Sequence, residues 1–167
     1  MGKEVRHVVS VLCLLSALGV AGPSVMFSHA WASFRADFPE APDPAESRCE
    51  AVGEFLAAGL RRGGTTVEGT DCWRDSGWQV RCQVNGKAVY LFVSHVGQGP
   101  VQYVLCCTSD RGLWGWLAGR DDTAERWQLA RAVHEVFMSD SRFNDVRWYV
   151  ERGWTAGGDS QWARHPA

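Results

Sequence analysis

A chain of 167 residues, 46% hydrophobic and 22% charged, is long and apolar enough to build one domain with its own core, and this excludes a disordered tail or linker. The formal net charge is −2 and there is no basic block, so the chain has no surface for following phosphates, and nucleic acid is not an expected partner. No internal repeat is present.

The first residues, MGKEVRH, carry Lys3 and Arg6 and precede an uncharged apolar run from Val8 to Gly22, which breaks at Gly22-Pro23. A basic start followed by an apolar run is the pattern of an export signal. Ala30 and Ala32 have the small-x-small spacing of a cleavage site, so residues 1–32 read as a signal peptide cut after Ala32. The rival reading is an uncleaved membrane anchor, because Val8 to Phe27 is 20 residues, about the length that spans a bilayer, although the internal Gly22-Pro23 weakens it. Either way the domain is expected outside the cytoplasm, periplasmic or extracellular, with membrane contact only through a retained anchor. Pro39, Pro42 and Pro44 make residues 33–43 a Pro-rich tether.

The domain is expected over residues 44–154. Asp43-Pro44-Ala45-Glu46 has the form of a capping box, and Cys49, Val52, Gly53, Leu56 and Leu60 follow at helical spacing until Gly63-Gly64. The period then changes to two. A strand is expected over Thr65 to Trp73, followed by Trp78, Val80, Cys82 and Val84 alternating with polar residues. Asn85-Gly86 is a two-residue hairpin turn, which pairs Val84 with Lys87, Cys82 with Val89, Val80 with Leu91 and Trp78 with Val93. Val101 to Cys107 returns as a fourth strand, with Val101, Tyr103, Leu105 and Cys107 on the apolar face and Cys106 on the other.

Residues 111–120, RGLWGWLAGR, crowd Leu113, Trp114, Trp116 and Leu117 between Arg111 and Arg120. Such a loop either folds back as a lid on the core or serves as a binding knob, since tryptophan and arginine are favoured interface anchors. A second capping box, Asp122 to Glu125, opens a helix whose apolar face is Leu129, Ala130, Val133, Val136 and Phe137. Asp145 to Glu151 is a last strand with Val146, Trp148 and Val150 inward, and residues 155–167 read as a flexible tail. The fold class is therefore α+β, in the order helix, four-stranded antiparallel meander, helix, edge strand. Both helices lie on one face of the sheet, and the last strand is placed beside the first of the meander.

In an exported domain the cysteines are read as disulfides. Cys49 on the first helix and Cys107 on the inner sheet face form one expected pair. Strict alternation turns Cys72 outward, but a bulge at Gly69 reverses it and makes Cys72 with Cys82 the second, leaving Cys106 unpaired. No C-x-x-C knuckle occurs, so neither a metal nor another cofactor is expected. A nucleophile reading takes Cys106 as thiol with His134, or His95, as base. Asp110, Asp121 and Asp122 gather near one loop, where Asp122 has a capping role. Trp73, Trp78 and Trp148 are expected to face the core, which weakens a sugar platform. The sequence thus favours a small, disulfide-stabilised, non-catalytic domain that binds another envelope or extracellular protein through Arg111, Leu113, Trp114, Trp116, Leu117 and Arg120. The alternatives are a cysteine-dependent envelope hydrolase or acyltransferase and a carbohydrate- or peptidoglycan-binding module.

Overall fold

The computed structural model describes residues 30–38, 48–73, 77–96, 102–109, 122–149 and 162–166, and every statement below concerns these. In chain order they form β1 (Ala30–Ala36), α1 (Arg48–Arg62), β2 (Thr66–Trp73), β3 (Gly77–Val84), β4 (Lys87–His95), β5 (Gln102–Ser109), α2 (Thr123–Met138), β6 (Phe143–Tyr149) and β7 (Trp162–Ala163). The class is α+β. Six long strands and a two-residue seventh make one antiparallel sheet in the order β2-β3-β4-β5-β1-β6-β7.

The meander follows its sequence pattern closely. Val84 pairs with Lys87, Cys82 with Val89, Val80 with Leu91 and Trp78 with Val93. Asn85 and Gly86 sit at φ 51° and 74°, the left-handed values that a tight hairpin turn between twisted strands requires. Helix α1 ends as its two glycines imply: Gly64 takes φ 85°, Thr65 N–H donates to Leu60 O, and Gly64 N–H donates to Arg61 O. These are the two bonds of a Schellman stop. The expected capping box at Asp43 to Glu46 lies outside the described residues.

The main correction concerns residues 33–36, expected in the tether. Ala30–Ala36 is an interior strand, bonded on one side to β5 and on the other to β6. Ala30, Ala32, Phe34 and Ala36 point into the core, and Ala30 and Ala32 are completely buried. Side chains two apart in a strand share a face, so the small-x-small spacing of a cleavage motif is also the spacing of a strand's inner face. Ala32 lies between Leu105 and Trp148 in register, and its small side chain leaves room for the fully buried indole.

This insertion also corrects the place of the last strand. Strand β6 pairs with β1, at the far side of the sheet from β2, and it is not an edge because Trp148 and Tyr149 pair with Ala163 and Trp162 of β7. Part of the expected flexible tail is therefore strand. Val146 and Trp148 face inward as expected, while Val150 lies outside the described residues.

Both helices pack on one face, over Val80, Cys82, Val89, Leu91, Val93, Leu105 and Cys107. Their crossing is close. A Cβ on Gly59 would come within 2.6 Å of Val136 Cγ1, and one on Gly53 would overlap the Trp78 ring. At the end of the sheet where β1 leaves, Phe34 contacts Phe137, Phe143 and Tyr103. Phe38 and Phe55 extend the cluster under the Arg142 guanidinium, at 4.7 and 4.2 Å from their ring centres. Arg142 is held by a two-pronged ion pair to Asp140, which depresses the Asp140 carboxyl to a pKa of about 2 through hydrogen bonding.

A chain that begins at Ser33 loses the inner residues Ala30 and Ala32 and half of β1. It is expected to lose several kcal/mol, a large share of the roughly 5–15 kcal/mol that holds a domain together. A chain that begins at Ser28 is expected to unfold like the full-length protein. Denaturant unfolding of the two truncations checks this, and equal midpoints would contradict it.

Candidate functional site

Register fixes which side chains meet on the face away from the helices. One row across the strands runs Asp71, Gln79, Phe92, Cys106, Trp31, Tyr149. The next runs Trp73, Gly77, Ser94, Val104, Ser33, Arg147, and Tyr90 stands opposite Thr108 beyond the first. Among the described residues no helix covers this face, yet Val104 and Cys106 at its centre are only 5% and 8% exposed. Half-buried rings surround them. Trp73 packs on Phe92 at 4.7 Å between centroids, Tyr90 stacks near Phe92 at 6.2 Å, and the Ser33 and Tyr149 hydroxyls share a 2.9 Å hydrogen bond. Trp73 is thus corrected from the core face to this one, whereas Trp78 and Trp148 lie on the helix side.

Cys106 faces outward as alternation implies, but its surroundings oppose a nucleophile. Burial pushes its thiol up to a pKa of about 12, against which the Arg126 charge acts more weakly. The protonated thiol behaves as a small apolar group. His134 is not on this face. It lies on α2, where its Nδ1 accepts a 3.2 Å hydrogen bond from the Trp148 indole and its Nε2 is 2.9 Å from His165 Nδ1. His95 follows Val93 on the inner side and meets Tyr103 edge to face. The sheet therefore stands between Cys106 and both histidines proposed as its base.

The two expected disulfides are not formed, and no disulfide is present among the described residues. A bulge does occur between Val67 and Gly69, and it does turn Cys72 toward the helix side. However, Cys72 lies opposite Trp78 while Val67 lies opposite Cys82. Four residues of strand separate the two cysteines, about 13 Å along the chain, beyond the reach of a bridge. Cys49 stands one turn before Gly53, which covers Trp78, whereas Cys107 is opposite Leu91 deeper in the sheet. Burial also raises the Cys82 thiol to about 12 and the Cys107 thiol well above its usual value.

Helix α2 opens differently from its sequence pattern. Asp122 is the N-terminal cap residue by position, but its carboxylate makes no capping bond. It lies 3.4 Å from Lys87 Nζ, and Glu125 lies 3.0 Å from the same ammonium. The would-be capping box instead fastens α2 to the start of β4, helped by a 3.1 Å bond from Asn85 to Gln128. Arg126, 2% exposed, donates to Thr123 Oγ1 at 2.9 Å. No group of three or more His, Cys, Asp or Glu side chains that could hold a metal occurs among the described residues. Arg111, Leu113, Trp114, Trp116, Leu117 and Arg120, with Asp110 and Asp121, lie outside them.

Comparison of the chain with protein-family models, with curated proteins and with solved structures yields no match. No helix among the described residues is long and apolar enough to cross a membrane.

Two outcomes follow from this chemistry. In the native protein Cys72, the exposed cysteine, is expected to react with an alkylating reagent, while Cys49, Cys82, Cys106 and Cys107 react only after unfolding. Peptide mapping after timed alkylation checks this, and rapid native modification of Cys106 would contradict it. For His134, burial and then the neighbouring His165 lower the pKa from its ordinary 6.5, with Glu135 opposing. The folded value lies below the unfolded one, so this contribution to stability is complete above about 6.5 and is lost as pH falls through the folded value. Unfolding midpoints between pH 8 and 5 should therefore decline for the natural protein and decline less for His134→Gln, whose amide oxygen can still accept from Trp148. Parallel pH profiles would contradict this role.

Proposed function

We propose that the chain is a non-catalytic binding domain exposed outside the cytoplasm, and that its partner is another protein of the envelope. The observation that carries this reading is the aromatic face itself: Trp31, Trp73, Tyr90, Phe92 and Tyr149 gather around a thiol that burial keeps protonated. Tryptophan and tyrosine bury large area at small entropic cost, and they dominate the centres of protein interfaces. Arg35, Arg81 and Arg147 supply polar groups around the rings, with Asp145 paired to Arg35 and Arg147. Export rests on the basic start and apolar run of the sequence.

The loop at 111–120 belongs to the same reading as a second contact, because it follows directly from the end of β5. The sugar-binding alternative receives less support. The Trp73 and Phe92 rings incline at 50° to each other, whereas a flat sugar face stacks best on a single plane.

Trp73→Ala and Tyr90→Ala are expected to weaken capture of the envelope partner at least about tenfold each, equivalent to about 1.4 kcal/mol, with thermal unfolding little changed. Trp114→Ala and Trp116→Ala are expected to behave the same way if the loop is a knob. Pull-down from native envelopes, quantified against folded protein, reads the result. Capture that falls only in proportion to folded protein would mean that these rings are structural, and that would overturn the proposal.

A further inference from the structure

Strand β7 pairs with β6 through two residues, Trp162 and Ala163, a ladder too short to persist without further contacts. Beside it, three rings in a row join β6, α2 and the C-terminal segment: Trp148, His134 and His165. We propose that His134 and His165 form a pH-sensitive latch, which keeps β7 on β6 while both rings are neutral and releases it when either takes up a proton. The latch does not depend on which protein the aromatic face binds.

The geometry assigns each proton. An indole nitrogen can only donate, so the 3.2 Å contact from Trp148 Nε1 makes His134 Nδ1 an acceptor. A neutral imidazole has one N–H, which His134 then carries on Nε2 and donates over 2.9 Å to His165 Nδ1. His165 in turn holds its own proton on Nε2. Two donors thus meet two acceptors, and a further proton must take the place of an acceptor. On His165 Nδ1 it would point at the His134 Nε2–H and break the tie to the C-terminal segment. On His134 Nδ1 it would oppose the indole N–H of Trp148, which is completely buried and pairs with Ala163 of β7. The same arrangement argues against a divalent metal between the rings. Both facing nitrogens would need lone pairs, and the His134 proton would then move to Nδ1, against Trp148.

The surroundings hold the latch closed at neutral pH. Burial and then His165 lower the His134 pKa from its ordinary 6.5, and Glu135 on α2 opposes them more weakly. Strand β6 faces His134 with the Trp148 indole, which does not titrate. Arg131, three residues earlier on α2, and Arg164, beside His165, are exposed cations, and a neighbouring positive charge disfavours another. The two imidazole rings stand edge to face with centroids 4.9 Å apart, so the doubly charged pair would repel itself. The neutral, latched form is therefore complete above about pH 6.5 and is lost as the pH falls through the lowered His134 value. Release uncovers the edge of β6 at Trp148 and Tyr149, and an uncovered strand edge accepts the backbone of another strand.

Hydrogen exchange of the full chain at pH 7.5 and 5.0, corrected for the intrinsic effect of pH, tests the latch. At pH 5.0 the amides of residues 162–165 are expected to exchange at the rate of an unstructured chain, and at pH 7.5 at least about tenfold more slowly. The amides of Val89–Val93 in β4 are expected to stay protected at both. His165→Ala, a change at an exposed position, is expected to leave residues 162–165 unprotected at both pH values with β4 still protected. Equal protection of residues 162–165 at the two pH values, loss of protection in β4 along with them, or slow exchange of the segment in His165→Ala would each overturn the proposal. The ring nitrogen chemical shifts at pH 7.5 read the tautomers: both histidines are expected to carry the proton on Nε2, and a proton on His134 Nδ1 would contradict the assignment. Slower exchange of residues 162–165 on adding zinc chloride at pH 7.5 would give the pair to a metal and would also overturn the latch.

Discussion

The rest of the structure depends on the double pairing of β1 between β5 and β6. Without β1 the sheet is a four-stranded meander with a helix pair on top, and β6 has no neighbour to join it to the core. With it, a row of inner side chains runs unbroken from Trp78 through Val93, Leu105 and Ala32 to Trp148. The strand also carries Phe34 into the aromatic cluster of Phe137, Phe143 and Tyr103, and Phe38 beyond it lies under Arg142. Burying one phenyl ring of this kind contributes roughly 1.5–3 kcal/mol, so a few residues near the start of the domain hold a large part of its stability. Docking of Trp148 beneath α2 depends in turn on the space that Ala32 leaves.

The sheet separates two kinds of chemistry. On the helix side, Cys49, Cys82 and Cys107 fill the core as small apolar groups, and the ionic contacts of Lys87 with Asp122 and Glu125 tie α2 to the β3–β4 hairpin. The other face is built from aromatic rings around Cys106, with arginines and aspartates beside them. A thiol raised to about 12 and separated by a sheet from His134 and His95 is suited to packing. Among the described residues no bridge joins the five cysteines: Cys49, Cys82, Cys106 and Cys107 are shielded from solvent, and Cys72 lies exposed on the edge strand.

How much of this the sequence revealed depended on whether a pattern had one physical meaning or two. The Asn85-Gly86 turn admits one register, and alternation on either side agrees with it, so all four expected pairs are found. Gly63-Gly64 after a helical run likewise means a left-handed stop, and the structure has one. Ala30-x-Ala32, by contrast, fits both a protease site and the inner face of a strand, and only the partners β5 and β6, distant in sequence, select the second. The cysteines were ambiguous for a related reason. The bulge near Gly69 was legible and turned Cys72 as expected, but which residue stood opposite depended on the register that pairs Trp73 with Gly77 and Cys72 with Trp78. The outward direction of Cys106 was readable from alternation; its burial was not, because Trp31 and Phe92 are brought to it by two other strands. The Trp114 and Trp116 loop is conspicuous in sequence, and its role is tested by binding rather than by packing.

The central claim is that Ala30–Ala36 is an interior strand of the sheet. Native-state hydrogen exchange of the full chain measures this directly, since amides bonded within an interior strand open only with the core. The amides from Trp31 to Arg35 should be protected to the same degree as those of Val89 to Val93 in β4. Exchange of those amides at the rate of an unstructured linker would contradict the account, and would return residues 33–36 to the tether that their neighbouring prolines suggest.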